Sequence, residues 1–296
     1  MEYRVYARLV TCLMILVNVA IAPRETSAQG SLSRLTESVR TPSQPSPSSP
    51  EDESHERERR KRSSHRHDHD DDDHDGLSKL FWKTTAIALT APIWAPIKIA
   101  DDDYSSAGYF PEYPFQHGID GYMMIDPWIP SEPFTYSLQV RTEYANDFDS
   151  ISRIGTHFLF DTTTRFGIDG EVNHWRESLG AGLHDELWTG DMNVVFRFAQ
   201  TARMQMRTGF GVNWLAAGGH SDFGFNFTYR GDFFPVEPWI VSAEVDFGSL
   251  GDETLLHGRF TTGLQWHRAE VFVGYDYYEV DQTELSGFIT GLRIWY

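Results

Sequence analysis

The sequence is poor in three things. It has a single cysteine, Cys12, which excludes an intrachain disulfide framework and any cysteine-rich zinc site. Residues 134–296 contain no lysine, although arginine is frequent there. A sheet facing water ordinarily carries lysine, whereas a packed polar interior favours the rigid fork of arginine. Positive charge is scarce overall: 25 Lys and Arg stand against 43 Asp and Glu, a net charge of −18 over 296 residues. That acidity argues against wholesale wrapping of nucleic acid. There is no phosphate loop, no dinucleotide fingerprint and no HExxH helix. Aromatic residues, by contrast, make up 14% of the chain.

Four segments follow one another. Residues 1–28 have the pattern of a secretory signal peptide, with Arg4 and Arg8 ahead of an apolar stretch from Leu9 to Ala22. Thr26-Ser27-Ala28 supplies small residues for cleavage before Gln29, which would also remove Cys12. Residues 29–76 show no hydrophobic periodicity: a Ser/Pro tract from Thr41 to Pro50 precedes a mixed-charge block. Such composition buries too little apolar surface to offset its ordering entropy, so a disordered linker is expected. Within it His65, His67, His69 and His74 are interspersed with Arg66 and aspartates 68, 70–73 and 75, a donor set suited to weak binding of zinc or nickel. The competing reading is a solvated tether without fixed geometry. No other cofactor is expected. Residues 77–133 are apolar at first (Leu80, Phe81, Trp82, Ile87, Leu89, Ile93, Trp94) and then rich in Pro and aromatics. Pro92 and Pro96 disfavour one continuous helix. This segment is read as periplasmic or interfacial, or as a plug, with a transmembrane helix as the alternative.

From Phe134 the pattern alternates with a period of two. Phe134, Tyr136, Leu138, Val140 and Tyr144 share one face, and Ser137, Gln139, Arg141 and Glu143 the other. Nine more segments repeat this, giving ten strands. Their charges fall on one face only. Arginines 141, 153, 165, 197, 203, 207, 230, 259 and 293 face acids that include Glu143, Asp161, Glu171, Asp232, Glu244, Asp246 and Asp276. Inside a barrel they can pair, with Arg141, Arg207 and Arg259 expected against acids such as Glu143, Glu244 and Asp246. Interior glycines such as Gly155 and Gly263 would leave room for them.

Strand length favours a membrane over a soluble sandwich. The strands run well beyond the usual ~5–6 residues, enough to cross a ~25 Å lipid-facing band when tilted. Aromatics cluster at strand ends, with Phe134, Phe198, Trp239, Trp266 and Tyr296 at one end and Tyr144, Trp188, Trp214 and Tyr277 at the other. Connections after even strands read as tight, and those after odd strands, such as Glu177–Asp185, as longer loops. Finally, Phe288, Thr290, Leu292, Ile294 and terminal Tyr296 alternate and stop on an aromatic residue.

This ending resembles the insertion signal of Gram-negative outer-membrane β-barrel proteins. The resemblance is to the general class. It implies an all-β, closed antiparallel up-and-down barrel of about ten strands in the outer membrane, with both barrel ends of the chain and the N-terminal extension in the periplasm. It also implies contact with outer-membrane lipid and lipopolysaccharide and handling by the barrel-assembly machinery. A structural or anchoring role is expected, since barrels of this size are filled by their own side chains. The alternatives are a narrow cation-preferring channel with an acidic mouth, an outer-rim hydrolase using His184 or His220, and a soluble secreted β-protein. His157 and His257 fall on the inner face and are expected in the polar network.

Overall fold

The computed structural model describes residues 30–40, 95–102, 107–125 and 133–296. The proposed signal peptide, most of the linker and the histidines at 65, 67, 69 and 74 lie outside them. The chain divides into two compact units, Met1–Pro42 with Pro96–Tyr296, and Ser43–Ala95. The elements described below are those of the first.

Ten antiparallel strands close into one barrel: β3 (Tyr136–Asn146), β4 (Ile151–Thr162), β5 (Phe166–Gly180), β6 (Leu183–Thr201), β7 (Met204–Ala217), β8 (His220–Val236), β9 (Trp239–Leu250), β10 (Glu253–Trp266), β11 (Ala269–Val280) and β12 (Thr283–Trp295). Each pairs with its sequence neighbours, and β12 returns to pair with β3, so no edge is left open. The terminal end of the barrel carries Phe134 and Tyr296; the far end carries the other set of turns.

The alternation predicts the two faces correctly. Ile154, Val194, Phe210 and Val271 point outward and are 56–62% exposed. Arg141, Arg153, Arg207 and Arg293, on the opposite parity, are each 1% exposed. Gly155 faces inward, where a Cβ would stand 2.5 Å from the Asn173 side-chain oxygen, so the glycine makes space for the interior network.

Two expectations change. Glu177–Asp185 is not a long loop: β5 and β6 remain paired there, with Glu177 opposite Asp185 and Ser178 opposite His184. The turn itself is short, with Gly180 and Gly182 at positive φ. Phe198 is not a free interfacial aromatic either. It is 3% exposed, in an outward cluster with Ala199, Met204, Met206 and Phe233, against which Ile97 and Ala100 of the helical residues 95–100 pack.

Both ends of the barrel are covered. Ser31–Arg40, counted with the structureless linker in the sequence, forms a helix, α1, seated in the far end. At the terminal end, β1 (Gly108–Tyr109) pairs with β2 (Met124–Ile125), and residues 107–125 fill the mouth.

Candidate functional site

The interior is built from residues two apart on each strand, so its chemistry follows from strand parity. Glu171 on β5 is its hub. Arg259 reaches it with two bonds, from Nη1 at 2.5 Å and Nη2 at 2.8 Å. Arg141 Nη2 lies 2.9 Å and Arg153 Nη1 3.3 Å away. Strands β5 and β10 are five apart either way round the barrel. The Arg259–Glu171 pair therefore spans the full diameter.

A second hub lies nearer the terminal end. Asp161 accepts from Arg207 Nε at 2.9 Å and lies 2.6 Å from Arg197 Nη1. Asp232 takes Arg207 Nη1 at 2.8 Å and Ser242 Oγ at 2.7 Å. Arg207 thus meets Asp161 and Asp232, two of the inner-face acids, rather than Glu143, Glu244 or Asp246, whereas Arg141 and Arg259 do meet Glu143 and Glu244. Asp246 instead holds His257 Nδ1 at 2.6 Å, and Asp276 lies 3.1 Å from its Nε2.

His157 also joins the network. Its Nε2 is 2.7 Å from Asp169 Oδ2 and 2.9 Å from Arg230 Nη1. Ligand atoms of His157, Asp169 and Glu244 all lie within 4.8 Å of one another, a grouping consistent with weak binding of a divalent ion. The Arg230 guanidinium already occupies that corner, so a cation there would compete with it.

At the far end the inward face turns apolar. Trp175, Leu187, Leu215, Leu250, Leu255, Tyr278, Val280 and Leu285 form a cup. Into it α1 places Leu32, Leu35 and Val39, one stripe at spacings of three and four. Glu177 caps the helix, its carboxylate accepting from Ser31 N and Leu32 N at 2.9 Å each. A carboxylate there also meets the positive end of the helix dipole. Arg40 closes the other end, donating to the Ala217 carbonyl and lying 3.9 Å from Asp222. Arg153 stacks over Trp175 at 5.2 Å, where ionic interior and apolar cup meet.

The terminal mouth is closed by aromatics. Phe110, Phe115, Tyr122 and Met123 pack on Phe234, Ile240 and Trp295 from the barrel wall. Phe110 exchanges backbone bonds with Phe134 at 3.0 and 3.1 Å. Tyr122 shares a 2.5 Å hydrogen bond with Ser137 Oγ, and burial pushes its phenol above the ordinary range. At Gly121, with φ of +115°, a Cβ would fall 2.0 Å from the Ala202 carbonyl oxygen, so only glycine fits. Asp102 forms a two-pronged pair with Arg165, 2.7 Å on each side.

The rim histidines are separated. His184 Nε2 lies 3.6 Å from Glu186, while His220 Nδ1 lies 3.2 Å from the Gly218 carbonyl. Both stand at far-end turns.

Parity read on the outer face alone misses both covers. Their signal is on the inner face, which stops being polar at Leu187, Leu215, Leu250 and Leu255 and again at Phe234, Ile240 and Trp295. An inward apolar ring needs something to bury it.

No family model and no curated protein matches the sequence. Among solved structures, the Yersinia pestis outer membrane protein Ail is similar at 11% identity and a TM-score of 0.32, over 54% of this chain and 99% of its own. Vibrio cholerae OmpT, an outer membrane protein, gives 9% and 0.29 over 53% and 64%. The N-terminal β-barrel domain of Pseudomonas aeruginosa OprF gives 8% and 0.26 over 54% and 97%. At these values the likeness carries no weight of its own. The class rests on the barrel: closed, even-stranded, apolar outside and charged within. These are the features of a β-barrel that crosses a membrane with its strands.

Proposed function

We propose that the barrel is a closed, non-catalytic anchor that fixes the N-terminal region of the chain at the outer membrane. One observation carries this reading: the lumen is bridged across its diameter by Arg259 and Glu171 and covered at both ends, by α1 and by residues 107–125. A conducting path would need a continuous line of water, and this arrangement supplies side chains in its place. Among the described residues His184 meets Glu186 and His220 the Gly218 carbonyl, with no hydroxyl nucleophile bonded to either, which favours anchor over hydrolase. The outward band meets membrane lipid, and the acidic far rim (Asp147, Asp149, Asp252) meets lipopolysaccharide through shared divalent ions. The alternating segment ending at Tyr296 is read by the assembly machinery. Residues 107–125 lie on the periplasmic side with the barrel's two chain ends.

Planar-bilayer recording tests the reading. The purified protein is expected to give no steady conductance steps, and a variant lacking residues 31–40 is expected to stay silent because the Arg259–Glu171 layer remains. Regular ohmic steps from the intact protein would replace the anchor with a channel.

A further inference from the structure

One arginine breaks the parity of the barrel. Arg176 on β5 points outward, and its side chain is 57% exposed. Every other arginine within the ten strands points into the lumen and is at most 4% exposed. Arg176 stands opposite Glu186 on β6, with His174 two residues before it and His184 two residues before Glu186. All four share the outer face of one hairpin at the far end. Elsewhere the far rim carries acids, such as Asp147, Asp149, Asp252, Glu279 and Glu284.

Glu186 gathers the three basic side chains without bonding to any of them. Its oxygens lie 3.7 Å from His174 Nε2, 3.7 Å from Arg176 Nε and 3.6 Å from His184 Nε2. Each distance exceeds that of a hydrogen bond. Among the described residues the Arg176 guanidinium has no hydrogen-bond acceptor, and each imidazole offers one N–H even when neutral. The flanking strands add no charge on this face. Ser152 and Ile154 of β4 stand opposite Arg176 and His174, and Ala216 of β7 stands opposite Trp188.

Position points to the kind of ligand. His174 packs on Trp188 with ring centres 4.6 Å apart, and Trp188 belongs to the aromatic set at the far end of the lipid-facing wall. Arg176 is one outward step beyond it, about 7 Å of strand. On the other side of Trp188 lie Val172 and Met192, outward and 44% and 53% exposed. The wall thus presents an apolar surface, then a tryptophan, then a cluster of nitrogen donors. That is the order of a lipid read from tail to headgroup.

We propose that His174, Arg176 and His184 bind the phosphomonoester headgroup of a lipid in the leaflet at the far end of the barrel, with its chains on Val172 and Met192. A phosphomonoester presents three strong acceptor oxygens. The planar guanidinium takes two of them side by side, and the imidazole N–H groups reach the third. A phosphodiester headgroup has one such oxygen fewer. Glu186 competes with the phosphate for these donors. The site rests on the membrane reading of the barrel and not on its anchoring role, so conductance leaves it untouched.

Calorimetric titration tests it, on full-length protein in a neutral detergent with folding checked by heat-dependent mobility. The probes are dihexanoyl phosphatidic acid, dihexanoyl phosphatidylcholine and inorganic phosphate. Saturable binding of the phosphatidic acid is expected, with weaker binding of the other two. Arg176→Ala is expected to weaken it about tenfold or more, and Arg176→Lys by part of that. Glu186→Gln is expected to tighten it by removing the competitor. Should Arg176→Ala fail to fold, Arg176→Lys and Glu186→Gln carry the test. Unaltered affinity in the Arg176 variants overturns the proposal. So does equal affinity for the phosphatidylcholine, which would leave only the apolar wall as the binding surface. Equal affinity for inorganic phosphate would make the ligand a free anion, and weaker binding in Glu186→Gln would make Glu186 a ligand to a cation; either result overturns the lipid site. A protein without heat-dependent mobility would undo the membrane reading itself, and the site with it.

Discussion

Arg197 shows how much of this protein is decided by single side chains. It is fully buried, and Asp161 is its one carboxylate among the described residues; Gln200 accepts from its Nε and the Thr162 carbonyl from its Nη2. Asp161→Asn therefore strands a guanidinium, and removing one partner from a buried pair costs about 3–5 kcal/mol. Urea unfolding of the barrel in lipid vesicles should show a loss of that size, and Arg197→Met in the same chain should recover part of it. Arg207 keeps Asp232 when Asp161 is neutralised, so it is not the main contributor. On the outer face the rule reverses. Phe210, 60% exposed in the middle of β7, faces lipid. Phe210→Arg should cost about 2–4 kcal/mol and Phe210→Leu little; equal folding yields for the two would remove Phe210 from the lipid-facing band. Parity made the face of each arginine legible in the sequence, but not its partner. Partners depend on strand stagger round the barrel, which is how Arg207 on β7 comes to meet Asp161 on β4.

At the scale of elements, the ten strands were legible because alternation over 11 to 19 residues has no other physical reading. Helix α1 was not. Ten residues are too few to hold a helix alone in water. Its stability comes from the cup, whose residues lie some 140 to 250 positions further along the chain. The stripe of Leu32, Leu35 and Val39 is visible, but nothing nearby says what covers it. Leu35 has no exposure at all, so Leu35→Ala should weaken docking by about 2–5 kcal/mol. Leu35→Asp should release the helix and speed tryptic cleavage after Arg34 and Arg40, while the barrel stays folded on its own network. Unchanged cleavage in Leu35→Asp would mean that α1 does not depend on the cup.

At the largest scale described, the barrel unit is a barrel in topology but filled in section, since Arg259 and Glu171 meet across it and both mouths are stopped. The outer membrane excludes bile salts, dyes and hydrophilic poisons only while its proteins leak slowly. Any open barrel adds leak in proportion to its abundance, so a cell must ration it. A solid one carries no such limit. Under the anchor proposed above, it can be packed at high density as a mooring for its N-terminal region, and dye entry is expected to stay independent of expression level.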